Sequence, residues 1–170
     1  MKTSIFLLVI LLFLASCSKQ KTKPLHTLVL TDKGVNTLSI STPFLENIIA
    51  PKLVGYDIEL FSAFEAGKVQ SIMRVTHYDE EVMLLFPTQS KKDQESTLES
   101  ITITSNLVQY PFDIQIGEEY HSELDLLCNK TLDEMRCNSK DYKHIQLIFI
   151  PKDTTKWKLQ EILWNKDALH

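Results

Sequence analysis

Apolar and polar residues alternate in several separate stretches of this chain. Tyr56, Ile58 and Leu60 alternate with Asp57 and Glu59, the period-two pattern of a half-buried strand. Val35–Ile40 carries Leu38 and Ile40 in alternation, and Val69–Val75 sets Ile72 and Met73 among polar neighbours. Val82–Phe86 is an apolar run stopped by Pro87, and Leu98–Thr104 alternates through Ile101 and Ile103. Polar turns separate these runs at Asp32-Lys33-Gly34, Ala66-Gly67-Lys68 and His77–Glu81. Short strands with polar turns between them predict an antiparallel meander.

Two stretches change to helical spacing. Phe44, Leu45, Ile48 and Ile49 follow Thr42-Pro43. Thr42 suits an N-cap and Pro43 a first helical position, which predicts a helix over Phe44–Leu53, short or bent because Pro51 lies inside it. Glu118–Leu127 opens with acids and places Tyr120, Leu124 and Leu127 on one face, which predicts a second helix. Ile114, Ile116 and Gly117 read as a short extended stretch before it. His144–Ile150 reads as a strand ended by Pro151. In Trp157–Trp164 the alternation is imperfect; Leu159, Ile162 and Leu163 also fit a helix, and strand is favoured. The expected fold is α+β, with antiparallel sheet and two short helices. It is arranged as two similar halves, each a helix followed by strands, although no residue-by-residue repeat is visible.

The N-terminus departs from this grammar. Lys2 precedes an unbroken apolar run from Ile5 to Leu14, and small residues follow it. That is the layout of a secretory signal, and the run is well short of the about 20 apolar residues a membrane span needs. Leu14-Ala15-Ser16-Cys17 resembles the lipobox of bacterial lipoproteins. The resemblance implies cleavage before Cys17, a diacylglyceryl group on its sulfur and acylation of the new amino terminus, a multi-chain anchor that holds stably. Ser18 rather than Asp after the Cys implies the outer membrane, with the domain facing the periplasm. The expected organisation is a signal peptide over 1–16, a lipidated Cys and flexible tether over 17–27, and one domain over 28–170. The tether is polar, carries Lys19, Lys21 and Lys23, and has no apolar period.

Composition narrows the partners. The whole chain has a formal net charge of −4, and losing Lys2 with the signal makes it one unit more negative. A mildly acidic domain without a basic stripe does not suit phosphate backbones, so no nucleic acid partner is expected. Of three Cys, one is Cys17. In an oxidising compartment the remaining Cys128 and Cys137 are expected to form a disulfide. It would join the end of the second helix to the strand or loop after it, with Leu132 and Met135 packing beneath.

Several blocks together carry a wider resemblance. Gly34-Val35-Asn36-Thr37-Leu38-Ser39-Ile40-Ser41-Thr42-Pro43 is followed by Leu53-Val54-Gly55-Tyr56. Leu98-Glu99-Ser100-Ile101 leads to Ile116-Gly117, and Trp157-Lys158-Leu159-Gln160-Glu161-Ile162-Leu163-Trp164 lies near the C-terminus. With the Cys128/Cys137 pair, these resemble the RpoE-regulated lipoprotein family of enterobacteria, a domain of unknown function. The family implies an outer-membrane lipoprotein expressed under envelope stress and supplies no catalytic residues. The stretch Ser90–Ser96 and the basic tether are local departures from it.

Reactive constellations are sparse. There is no Gly-x-Ser-x-Gly elbow and no Cys-x-x-Cys, and four Gly in the whole chain exclude a Gly-rich phosphate loop. His121 and Asp125 are four apart, with Glu118 one turn earlier, a thin set for a metal; Asp79-Glu80-Glu81 is a run of acids at a turn. No metal and no cofactor is expected. Trp157 and Trp164, near Phe149 and Tyr142, are candidate partner anchors, although aromatics so placed are more often simply core. The expected function is a non-enzymatic, binding or structural role in envelope maintenance, toward an envelope protein or the cell wall. The alternatives are a periplasmic inhibitor of a hydrolase and, behind it, a small envelope hydrolase.

Overall fold

The structure, a computed structural model, describes residues 25–65, 67–88 and 96–165. The signal stretch, Cys17, most of the tether and most of the 90–96 stretch lie outside the described residues. Among the described residues eleven strands make two sheets. The small sheet contains β1 (Leu28–Thr31), β2 (Gly34–Val35) and β7 (Val108–Gln109). The large one holds β3 (Asp57–Glu65), β4 (Lys68–His77), β5 (Glu80–Pro87), β6 (Leu98–Ile103), β8 (Leu127–Lys130), β9 (Met135–Asn138), β10 (Ile145–Pro151) and β11 (Trp157–Asn165). Its order is β3-β4-β5-β6-β11-β10-β9-β8, antiparallel throughout. Two four-stranded meanders therefore meet at their last strands, β6 against β11, so the halves expected from the sequence are alike in their strands.

Register explains the core. Ile58, Val75, Met83, Ile103, Ile162, Leu147, Cys137 and Cys128 stand opposite one another in turn, one row across all eight strands. Met73, Leu85, Ile101 and Trp164 make a parallel row beside it. From Val75 to Cys137 every member of the first row is buried, as is each member of the second. Fully burying such a side chain contributes roughly 1.5–3 kcal/mol, so these rows dominate the fold's stability. Leu28, Leu30, Val35 and Leu38 of the small sheet region close over the same face, with Phe44, Ile49 and Leu53. A further tie comes from Trp164, whose Nε1 donates to Asp32 O at 3.1 Å, while Asp32 Oδ1 accepts from His144 N at 2.9 Å.

The helical content is smaller than expected. One α-helix is described, α1 (Glu46–Ile49), continued by a 3₁₀ turn at Ala50–Lys52. Thr42 does not cap it. Its hydroxyl accepts from Ser39 N, its carbonyl takes Leu98 N, and Pro43 lies opposite Thr97, so this segment borders β6 instead. The expected second helix over Glu118–Leu127 is absent: only a 3₁₀ turn at Ser122–Leu124 forms, ended by Asp125 at φ 45°. The reason is tertiary. Gly117 N donates to Leu159 O, Leu159 N to Glu118 O, and Tyr120 N to Trp157 O. The start of β11, which β6 leaves unpaired, claims this backbone. Similarly the strand expected over Val35–Ile40 stops at Asn36, whose positive φ turns the chain while its side chain bonds Val29 N and Thr27 O. Ile114–Gly117 is loop rather than strand.

Trp157–Asn165 is a strand, and its broken alternation has a cause. Ile148 faces Glu161 while Phe149 faces Leu159. Gln160 is therefore the extra residue of a β-bulge, which puts Leu159 and Ile162 on one face although they are three apart.

Candidate functional site

The cysteines lie directly opposite in the β8–β9 hairpin and are bonded, with Cα atoms 4.0 Å apart. The disulfide thus joins two neighbouring strands, not a helix to a loop. Met135 is buried in the core, on the same face of β9 as Cys137. Leu132 is not: it sits at the hairpin turn, 92% exposed. That turn is held by Thr131, whose hydroxyl accepts from Glu134 N and donates to Glu134 O. Trp157 and Trp164 are 7% and 2% exposed. Both are core residues, not free anchors for a partner; Lys130 Nζ lies 4.5 Å above the Trp157 ring.

The sparse acid and histidine sets do not converge. Without the helix, His121, Glu118 and Asp125 share no face. Glu118 Oε2 accepts from Gln115 N, and Asp125 pairs with Lys140 at 3.1 Å. Among the described residues no group of three or more His, Cys, Asp or Glu comes together in a way that would hold a metal. Asp79-Glu80-Glu81 is divided in the same way. Asp79 is in the turn at φ 66°, Glu80 accepts from the Ser105 hydroxyl, and Glu81 pairs with Arg74.

Two features escaped sequence reasoning. The first is a charged strip on the sheet face turned away from the core. Arg74 Nη1 donates to Glu59 Oε2 at 3.3 Å, Arg74 Nε lies 3.2 Å from Glu81 Oε2, and the guanidinium sits 4.7 Å over the Phe61 ring. Across the sheet, Arg136 pairs with Glu134 at 2.6 Å and donates to Gln146 Oε1. Glu161 lies among these groups. Burial pushes its carboxyl up; Arg136 opposes that, and Glu134 and Glu81 add to it. The Glu134 hydrogen bond, for its part, holds the Arg136 guanidinium above its usual range. Both arginines are committed to carboxylates, so the net character of the strip is acidic. It carries more carboxylates than guanidinium groups; among the described residues no nucleophile sits beside a base in it.

The second feature is a cavity of about 210 Å³ in the loop after β7, lined by Asn106, Val108, Tyr110, Phe112 and Ile114. Tyr110 OH donates to Asn106 Oδ1 at 2.7 Å, and Ile116 N donates to both oxygens at 2.9 Å. Burial pushes the phenol up, against the effect of the Ile116 hydrogen bond. The Tyr110 hydroxyl, the Asn106 amide oxygen and the Ile116 N–H bind one another, which makes it a braced loop with room for a small ligand rather than a reactive centre. No signal short of the fold would have found either feature. The strip joins positions 74, 81, 136 and 161 through register alone.

Among the described residues no helix is long and apolar enough to cross a membrane. No family model matches this chain, and no curated protein sequence does. Among solved structures the chain is similar to the crystal structure of the uncharacterized protein YfeY from Escherichia coli. The match has a TM-score of 0.63 at 20% sequence identity, covering 83% of this chain and 100% of that one. At that identity the likeness is one of fold: this chain folds as YfeY does.

Proposed function

We propose that this protein is an outer-membrane lipoprotein, anchored through Cys17 and facing the periplasm, that acts by binding in envelope maintenance rather than by catalysis. The observation that carries the reading is the sequence Leu14-Ala15-Ser16-Cys17 behind a short apolar run. Membership of the RpoE-regulated lipoprotein family, and expression under envelope stress, belong to the same proposal. The fold shared with YfeY, the cysteine pair and the absence of a converged reactive set among the described residues support it. The partner is an envelope protein or the cell wall. Crosslinking in intact envelopes followed by pull-down tests it. A specific partner recovered above background is expected, and none in either stressed or unstressed cells would contradict the binding role.

One observation favours a second reading, a periplasmic inhibitor of a hydrolase. The β8–β9 hairpin is braced by the disulfide and presents Leu132 at its tip. A rigid loop with one protruding apolar side chain loses little entropy on entering a cleft. Under this reading Leu132→Asp abolishes inhibition of a periplasmic hydrolase while leaving the melting temperature unchanged.

A further inference from the structure

The β3–β4 hairpin ends in an apolar surface that the fold does not use. β4 pairs with β5 only from Met73 onward, so the outer half of the hairpin extends as a two-stranded ribbon. Phe64 faces Val69 near its end, and these residues are 77% and 72% exposed. Leu60, opposite the buried Met73, is 53% exposed. By strand alternation Leu60, Phe64 and Val69 share one face, the continuation of the core face beyond the core. A two-stranded ribbon is marginal by itself, and an apolar face on it is a liability unless something covers it.

Polarity changes along the ribbon. Asp57, Glu59 and Arg74 lie toward its base, with Arg74 paired to Glu59; from Leu60 to Phe64 and from Val69 to Ile72 the residues are uncharged, and Glu65 stands opposite Lys68 at the turn beyond them. The base is also where the described chain begins. His26 N donates to Val54 O, and Tyr56 OH donates to His26 O, just before β3. From Asp57 to Glu65 the ribbon runs about 27 Å. From Cys17 to Leu25 the chain reaches at most about 27–29 Å. An anchor at Cys17 can therefore lie level with the hairpin's end.

We infer that Leu60, Phe64 and Val69 rest on the lipid surface that holds Cys17, a second and shallow contact that fixes the domain's orientation. Aromatic and aliphatic side chains at headgroup depth are favourable there. The inference rests on the proposed anchor, and the test separates the two. Full-length protein carrying Phe64→Cys, and separately Asp57→Cys, is labelled with an environment-sensitive thiol probe. Each is reconstituted in vesicles of phosphatidylethanolamine and phosphatidylglycerol with brominated acyl chains. The expected result is a blue shift and several-fold stronger quenching at position 64 than at 57. Equal quenching at both positions overturns the inference. So does a shift that grows with protein concentration without lipid, which would mean a second copy, or one that requires other envelope proteins. A palmitate-analogue label is read on the same samples. Acylated protein with an unquenched tip leaves the anchor standing and removes the lipid contact. Protein that is not acylated but is quenched on adding vesicles removes the anchor and leaves the contact.

Discussion

Replacing the disulfide by Cys128→Ser with Cys137→Ala removes a crosslink between positions nine apart in sequence. Alanine is chosen at 137 because that side chain is fully buried and a hydroxyl there would add a polar penalty. Closing so short a loop in the unfolded chain is worth roughly 2.6 kcal/mol by the chain-entropy relation. The bridge sits where the register already places the two residues face to face, so removing it leaves the rest of the sheet intact. For a chain of this size the loss corresponds to a fall of roughly 5–10 °C in melting temperature. It should also be local first. All four residues of β8 are exposed, and β9 is the strand it pairs with in the sheet. Amides of residues 127–130 should lose protection against hydrogen exchange well before those of β10 and β11. Circular dichroism melts and exchange by mass spectrometry measure both effects. A fall under about 2 °C would refute the entropic reasoning, given the roughly 2–4 °C expected per kcal/mol. Two alkylatable thiols in unreduced protein taken from the periplasm would refute the bridge itself.

Three further outcomes are expected of the sheet. Leu147→Ala should destabilise by about 2–5 kcal/mol in chemical denaturation, because Leu147 is fully buried in a row whose six members from Val75 to Cys137 are all buried. Tyr78 and Asp79 hold positive φ at the two-residue turn between β4 and β5; Tyr78→Asn with Asp79→Gly should raise stability by about 1 kcal/mol, since those residues suit a type I′ turn. The Glu161 carboxyl is raised in the folded state, so the stability its protonated form contributes is present below the unfolded carboxyl range and lost as pH rises through the folded value. Glu161→Gln should therefore stabilise at neutral pH by a few tenths of a kcal/mol and have no such effect at pH near 4, as read from denaturation midpoints at the two pH values.

Much of the strand content was legible because burial writes itself into alternation. Ile101 and Ile103, and Trp157 and Leu159, each marked a strand that exists. What failed was whatever depends on distant pairing. Glu118–Leu127 has helical spacing and acids at its start, yet its backbone hydrogen bonds go to β11. The bulge at Gln160 made a strand resemble a helix in spacing. The parallel pairing of β1 with β7, and the junction of β6 with β11, leave no local mark. Of the candidate site residues, the cysteine pair was legible from its even number once Cys17 is set aside. The two tryptophans were ambiguous from the start, since aromatic residues serve cores and interfaces alike; burial decided for the core. The strip around Glu161 was invisible because Glu81 reaches Glu161 only across the β6–β11 junction.

The central claim is the lipid on Cys17, and metabolic labelling with a palmitate analogue tests it most directly, comparing the native chain with Cys17→Ala. The native protein should carry the label and sediment with the outer membrane. Cys17→Ala should carry none and accumulate as the uncut precursor. An unlabelled native protein, or label retained by Cys17→Ala, would contradict the account.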